Sequence, residues 1–252
     1  MSEFVVSDSP PSDLRGAYLD GLAEPQELYL EQLVAVGQSW RVADIAYVVI
    51  HGETLVEFYV RADHARSLVA LFDAAMAASG ARRILCKSYD TSLLYAAPSA
   101  PAAARPGGLL FRRYDDQTFK PRSDVSLRRG LATDAKAILR FNDDFFESMA
   151  EIQSSAARGG LFVLENESGI IGCGVATQVI EGRPDVDIGM LIAAPHRRQG
   201  YATHIVSFLK HHYVNMGMRP ICGCSVDNVG SARALERAGF VSEHRLLEIT
   251  PG

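Results

Sequence analysis

The sequence predicts an α+β protein built from two parts, and three observations carry that prediction. Hydrophobic residues make up 48% of the 252 residues and charged residues 22%, which is the balance of a globular chain. Strand-like and helix-like segments alternate along the second half. A stretch rich in proline and glycine, residues 98–108, predicts a loop or linker between the halves. We therefore expect an N-terminal α+β domain over 1–120 and a second domain over 121–252.

In the first half, the apolar runs 45–50 and 55–60 flank a short turn and predict a β-hairpin. Apolar residues at helical spacing from Leu68 to Met76 predict a helix that ends at Gly80. Residues 83–88 predict a further strand. This half carries no pattern that indicates chemistry of its own.

The second half predicts ten elements in the order β-α-α-β-β-β-α-β-α-β. Their expected positions are strand 125–128, a helix starting at Thr133 or Asp134, helix 145–155, strands 161–165, 170–179 and 185–192, a helix over 202–213, strand 220–226, helix 231–238 and strand 241–249. The helix over 202–213 is the most strongly amphipathic in the sequence, because five apolar residues share one of its faces. This order predicts a mixed sheet.

Charge and composition exclude several classes of protein. A net charge of −5 argues against a nucleic-acid partner, which requires many cations on one face. The longest apolar runs are far shorter than the ~20 residues that cross a bilayer, and the N-terminus has no secretory pattern. We therefore expect a cytoplasmic protein with no membrane partner and with reduced cysteines. Cys222 and Cys224 have no second ligand pair at zinc spacing, so we expect no metal.

The most informative segment lies between a strand and the amphipathic helix. It contains Arg197, Arg198, Gln199, Gly200, Tyr201, Ala202 and Thr203. A glycine at the start of a helix lets the backbone approach a ligand closely, and the first N–H groups of the helix have no helical acceptor. Together they predict an anion site suited to a pyrophosphate. No Walker-type or Rossmann-type glycine motif is present in the sequence.

Two motifs give the second half a family resemblance. The run Arg197-x-x-Gly200-x-Ala202 after a strand resembles the pyrophosphate motif of the GCN5-related N-acetyltransferase (GNAT) superfamily. The run from Asn228 to Gly239-Phe240 is similar to the superfamily's later Asn-to-Gly-Phe segment. The resemblance implies the GNAT fold, a central mixed sheet with helices on both faces. The first half resembles the extra N-terminal domain of some two-part acetyltransferases, a degenerate copy of the same fold being one interpretation.

The resemblance implies acetyl-CoA as acyl donor, and it assigns roles to residues. The strand backbone at Leu191, Ile192 and Ala193 would pair with the pantetheine arm, and that of Leu191 would also offer an N–H to the thioester oxygen. The amides of residues 198–203 would hold the pyrophosphate. Asn228 would contact the arm or order its loop, and Ser231 would line or cap the next helix.

Catalysis is less well defined by the sequence. Candidate general bases are Asp187, Glu181 and Glu147, each with a solvated surface carboxylate as the alternative. Many relatives place a tyrosine acid seven residues after the asparagine, where this chain has Leu235. The expected function is acetyl transfer to a small amine, an amino acid or an antibiotic. The alternatives are a CoA-binding regulatory protein without turnover and a protein acetyltransferase. A homodimer is among the assemblies that the sequence allows.

Overall fold

The computed structural model describes residues 3–97 and 104–250, which form two compact units. The first unit contains Met1–Leu110 and His244–Gly252, and the second contains Phe111–Glu243. The first unit thus ends ten residues before the boundary expected at 120 and takes up the C-terminal segment. The reason is that residues 246–249 pair antiparallel with a strand of the first unit.

The first unit is a sheet with helices. Its elements are β1 (Val5–Ser7), α1 (Ser12–Gly21), α2 (Leu28–Val36), β2 (Gln38–Val42), β3 (Ala46–His51), β4 (Thr54–Val60), α3 (Leu68–Ser79), β5 (Arg83–Lys87), α4 (Thr91–Ala96) and the start of β6 (Ala104–Tyr114). Strands β1 to β4 pair antiparallel in chain order, and β4 pairs parallel with β5. The predicted hairpin, helix and strand are confirmed as β3–β4, α3 and β5. Gly80 ends α3 in the left-handed conformation, with φ 69°.

The loop predicted at residues 98–108 can be compared with the structure over its last five residues only. Residues 98–103 lie outside the described residues. Residues 104–108 belong to β6, so the loop prediction is wrong for them. Gly107 lies close to a neighbouring side chain, since a Cβ on it would be 3.0 Å from Oε1 of Glu248.

A buried polar network lies in the first unit. The carboxylate of Glu57 is fully buried and accepts hydrogen bonds from Arg15 (3.0 Å), Tyr47 (2.7 Å) and Gln26 (3.0 Å). The ammonium group of Lys87 donates to Gln26 at 2.9 Å. Its burial lowers the pKa of Lys87. The interior of this unit is therefore held by charge pairing as well as by apolar packing.

The ten predicted elements occur in the predicted order; nine belong to the second unit, and the tenth, β12, begins in the second unit and ends in the first. They are β7 (Ser126–Arg129), α5 (Ala135–Leu139), α6 (Met149–Ala157), β8 (Leu161–Asn166), β9 (Gly169–Gln178), β10 (Asp185–Ile192), α7 (Tyr201–Asn215), β11 (Arg219–Ser225), α8 (Val229–Arg237) and β12 (Phe240–Ile249). Strands β7 to β10 pair antiparallel, and β10 pairs parallel with β11.

Helices cover both faces of this sheet. Cys173 of β9 faces the cluster formed with α5 and α6, whereas a Cβ on the next residue, Gly174, would touch Ile205 of α7 at 2.6 Å. Alternate residues of a strand point to opposite faces. The sheet is therefore sandwiched, with α5 and α6 on one side and α7 on the other.

One helix begins later than the sequence predicts. The pattern indicated a helix from residue 145, but α6 starts at Met149, and Ser148 caps it by accepting from the Glu151 N–H at 3.2 Å. Residues Asp143 and Asp144 precede it with left-handed backbone, φ 50° and 58°. Ser148 itself is extended, with φ −158° and ψ 165°, so the helix cannot include it and begins at the next residue.

Candidate active site

An opening lies between β10 and β11. The two strands pair from Asp185↔Arg219 to Asp187↔Ile221, and the described chain contains no later pair. Strand β10 nevertheless continues to Ile192 and β11 to Ser225. Beyond Asp187, the edge of β10 that faces β11 is therefore no longer paired with β11. An extended ligand could pair with the backbone of β10 along this edge.

The register decides which backbone groups face this opening. The Ala193 N–H donates to the Ile171 carbonyl at 2.9 Å, and the Val179 N–H donates to the Asp185 carbonyl at 3.0 Å. Odd-numbered residues of β10 therefore direct their backbone groups to β9, since these directions alternate along an antiparallel strand. Met190 and Ile192 face the opening. This corrects the expected backbone role of Leu191 and Ala193, while Ile192 keeps the position expected for it.

The loop from Ile192 to α7 forms a concave backbone site. Arg198 and Gly200 both have left-handed backbone, with φ 62° and 84°. The first helical bond of α7 runs from the His204 N–H to the Gly200 carbonyl at 3.0 Å. The preceding amides of Tyr201, Ala202 and Thr203 start the helix without a helical acceptor. Left-handed residues beside a helix N-terminus make a nest of N–H groups suited to an anion, which we call the anion loop (residues 197–203).

The Arg197 side chain of the anion loop is 43% exposed and is hydrogen-bonded at both ends of its guanidinium. Its Nε donates to the Ile192 carbonyl at 2.9 Å, and its Nη2 donates to Asp143 Oδ2 at 2.6 Å. The backbone carbonyl of Gln199 accepts from Arg122 at 2.9 Å. Arg197 and Gln199 thus shape the anion loop through bonds within the chain, and Arg198 adds a second exposed cation there.

Sequence reasoning missed a polar cluster beneath the anion loop. Arg122 pairs with Asp124 at 2.7 Å, and the Tyr201 hydroxyl donates to Asp124 at 3.0 Å. The Arg122 guanidinium also lies 4.5 Å from the centre of the Tyr201 ring. The hydrogen bond from Arg122 holds the pKa of Asp124 well below its usual range, and the bond to Asp124 raises the pKa of Tyr201.

Residues of α8 have structural roles in this structure. The Asn228 side chain caps α8 by accepting from the Ser231 N–H at 3.0 Å. Ser231 also forms a side-chain hydrogen bond with Cys224 of β11. Leu235 is 1% exposed, so its side chain belongs to the interior of the unit. Asn228 therefore orders the start of α8, whereas Ser231 supplies an N–H to that cap and is not the N-cap residue itself.

The three candidate bases lie in different settings. Asp187 is half-buried on β10, at the last residue that pairs with β11. Glu181 is exposed in the turn before β10, and Glu147 is exposed in the turn before α6. Glu181 lies outside β10, four residues before its first residue, Asp185. Asp187 is the candidate next to the opening.

An aromatic side chain covers β10 next to Asp187. The Phe145 ring would lie 3.2 Å from a Cβ on Gly189, which shares a strand face with Asp187. The neighbouring ring of Phe146 is buried in the core and packs edge-on at 4.9 Å from that of Phe145. Phe146 is therefore a core residue, whereas Phe145 is 37% exposed and borders the opening.

A strand edge that opens beside a helix N-terminal anion loop is the arrangement of a transferase that binds a phosphate-bearing acyl donor. A family model described as "Acetyltransferase (GNAT) domain" matches residues 110–241, more than half of the chain. The chain therefore belongs to the GNAT acetyltransferase family. It is an acetyl-CoA-dependent acetyltransferase in the general sense of that family.

Solved structures agree with this fold. A GNAT-family acetyltransferase from Colwellia psychrerythraea has a TM-score of 0.87 at 15% identity, covering 99% of this chain and 100% of that chain. A GCN5-related N-acetyltransferase from Sphaerobacter thermophilus has a TM-score of 0.62 at 16% identity, covering 99% and 96%. A search of curated proteins found no match. The similarity extends over the N-terminal part as well, so the expected GNAT fold with an additional N-terminal domain is confirmed.

Three further observations concern the described residues alone. Across 3–97 and 104–250, no helix combines the length and apolar character needed to cross a membrane. Within the same ranges, no three His, Cys, Asp or Glu side chains are grouped so that they could hold a metal ion. All four cysteines are unpaired thiols.

Proposed function

We propose that the protein transfers the acetyl group of acetyl-CoA to the amine of a small molecule in the cytoplasm. The observation that carries the proposal is the juxtaposition on β10: the backbone edge at Met190 and Ile192 leads into the anion loop at one end, and the half-buried Asp187 lies at the other. Donor and acceptor functions thus lie on one strand.

The donor would be held mainly by backbone groups. The nest at Arg198 and Gly200 and the first amides of α7 suit the pyrophosphate, since the helix N-terminus favours negative charge by about 0.3–1 kcal/mol per charge. The Met190 and Ile192 N–H groups lie on the open edge of β10, and the Ile192 carbonyl is engaged by Arg197. The Met190 N–H is the candidate donor to the thioester oxygen as negative charge develops there.

Asp187 is the candidate general base. An amine attacks only when it is neutral, so a carboxylate that removes its proton, directly or through water, accelerates the reaction by about 10²–10⁴-fold. Asp187 and Met190 are three residues apart, about 10 Å along the strand, which favours a water relay. Asp185 lies on the same strand face, and burial raises its pKa. Two carboxylates at this end of β10 favour a cationic acceptor.

Thiol release from acetyl-CoA, measured with a panel of small amines and amino acids, tests the proposal. We expect turnover with one or more cationic amines, and Asp187→Asn should lower kcat at least 10²-fold while the Kd for acetyl-CoA stays constant. Glu181→Gln is the matched control and should retain wild-type kcat.

Three outcomes would contradict parts of this assignment. Equal losses of kcat in both variants would remove Asp187 as the base. Binding of acetyl-CoA without thiol release for any amine would favour the regulatory CoA-binding role, and release with a protein acceptor alone would favour a protein acetyltransferase.

A further inference from the structure

The turn at residues 142–148, between α5 and α6, contains two strained residues in succession. Asp143 and Asp144 both have left-handed backbone, with φ 50° and 58°. A residue with a Cβ adopts this conformation at a cost of about 1–2 kcal/mol. Strain of this kind persists only where the surrounding contacts fix it.

Two of the fixing contacts lie within the turn. The Asn142 side chain brackets Phe146, accepting from its N–H at 2.8 Å and donating to its carbonyl at 2.6 Å. The Phe146 ring is 5% exposed and packs in the core beneath β10. These contacts fix the end of the turn and leave its first strained residue to another partner.

The third contact comes from the anion loop. Arg197 donates from Nη2 to Asp143 Oδ2 at 2.6 Å and from Nε to the Ile192 carbonyl at 2.9 Å. One planar guanidinium therefore joins the turn to the end of β10 that borders the opening. A lysine could not make both bonds in this fixed geometry, because its ammonium is a single point charge.

The turn presents one side chain to the face of β10 that carries Asp187. The Phe145 ring lies over Gly189, and its Cζ would be 3.2 Å from a Cβ there. Any larger residue at 189 would displace that ring. The position of Phe145 thus depends on the conformation of the turn, and the hydrogen bond from Arg197 to Asp143 holds the turn at its first strained residue.

We propose that Asp143 is a positioning residue that, through Arg197, links the anion loop to the turn carrying Phe145, so that binding of the donor orders the acceptor side of the site. The inference rests on the proposed function, since it takes the anion loop as the donor site. A ligand that fixes the anion loop removes conformational freedom that Arg197 would otherwise retain, and the ordered Arg197 then holds Asp143 more firmly. By linkage, the ordered turn strengthens donor binding by the same factor.

Hydrogen exchange on the full chain, with and without saturating acetyl-CoA, tests the link. The amides of Phe145, Phe146 and Glu147 are not bonded within a helix. They donate to the Asn142 carbonyl, to Asn142 Oδ1 and to Glu151 Oε2, so their exchange rates report how well the turn is ordered. We expect acetyl-CoA to slow their exchange at least threefold in the wild type. Asp143→Gly removes the carboxylate and should abolish this effect of acetyl-CoA, with a loss of about threefold in donor affinity measured by calorimetry.

Two matched variants separate the ion pair from strain and from folding. Asp143→Asn keeps an oxygen acceptor and tolerates left-handed backbone, so it should retain most of the slowing. Asp144→Gly relieves the same kind of strain without touching Arg197 and should behave as the wild type. Thermal unfolding of each variant establishes that it is folded.

The outcomes distinguish the inference from the function on which it rests. If the wild type binds acetyl-CoA but the exchange of the turn does not change, or if Asp143→Gly keeps the full slowing, the link is wrong while the function stands. Loss of the slowing in Asp144→Gly as well would show that strain, not Arg197, controls the turn. Failure of the wild type to bind acetyl-CoA would overturn both.

Discussion

Gly200 offers the sharpest test of the anion loop, through a pair of substitutions that differ only in charge. Gly200→Glu and Gly200→Gln both introduce a side chain at φ 84°, where its Cβ would lie 3.3 Å from Arg122 Nη1. The conformation costs each variant about 1–2 kcal/mol of stability. The contact with Arg122 involves the end of a flexible side chain, which can shift. The two variants should therefore unfold at similar temperatures.

The charge should separate them in donor affinity. A carboxylate about 5 Å from a bound phosphate is repelled by about 1–3 kcal/mol for an effective dielectric constant between about 80 and 20. Gly200→Glu should therefore bind CoA about 5- to 150-fold more weakly than Gly200→Gln. The difference should shrink as salt rises, because the interaction is screened within about 10 Å at 0.1 M.

Isothermal titration calorimetry with CoA at low and high salt measures this difference, and circular dichroism establishes that each variant is folded. Equal affinities of the two folded variants at low salt would refute the assignment of residues 197–203 as the pyrophosphate site. A difference that does not depend on salt would indicate a steric effect and would refute the electrostatic reasoning.

Three further predictions concern stability and proton transfer. Glu57→Gln should lower the free energy of unfolding by about 3 kcal/mol, measured in denaturant, because it leaves the Arg15 guanidinium beside a neutral, fully buried group; an unchanged value would contradict the network. Hydrogen bonding to Arg128 lowers the pKa of Asp134. The ion pair therefore contributes fully to folding stability above about pH 4, and this contribution is lost as the pH falls through the lowered pKa. Asp134→Asn should therefore flatten the acid limb of the stability curve, and an unchanged limb would count against the pair. With Leu235 buried, kcat should stay level or rise toward high pH as the acceptor deprotonates; a descending limb near pH ~10 would indicate a tyrosine acid.

The order of elements in the second unit could be predicted because each boundary has a local cause. The amphipathic stripe of α7 and the glycine before it are adjacent in sequence, and so are the apolar run of β10 and the loop that follows. Such signals act within a few residues and need no knowledge of tertiary contacts. The anion loop was predictable for the same reason.

Other parts of the site depend on contacts that the sequence does not reveal. The hydrogen bond between Tyr201 and Asp124 joins residues 77 positions apart. The direction of the backbone groups at Ile192 depends on the register with β9, and a shift of one residue would reverse it. The strained turn before α6 had a partial signal, since two aspartates tolerate left-handed backbone better than most residues. Its partner Arg197 is 54 residues away, so the contact itself could not be inferred.

The position of Leu235 bears on which function the site performs. Leu235 lies on α8 and is 1% exposed, whereas the groups that we propose to bind the donor lie on β10, in the anion loop and at the start of α7. Replacing a tyrosine by leucine there changes the supply of protons to a leaving thiolate and leaves the donor-binding backbone as it is. A thiol with a pKa near ~8.5 is a good leaving group and can take its proton from water. The departure is therefore compatible with turnover, and CoA affinity alone cannot distinguish an enzyme from a CoA-binding regulator. The rate of thiol release in the presence of an amine is the quantity that separates them, because under the proposed function only that step uses both Asp187 and the opening on β10.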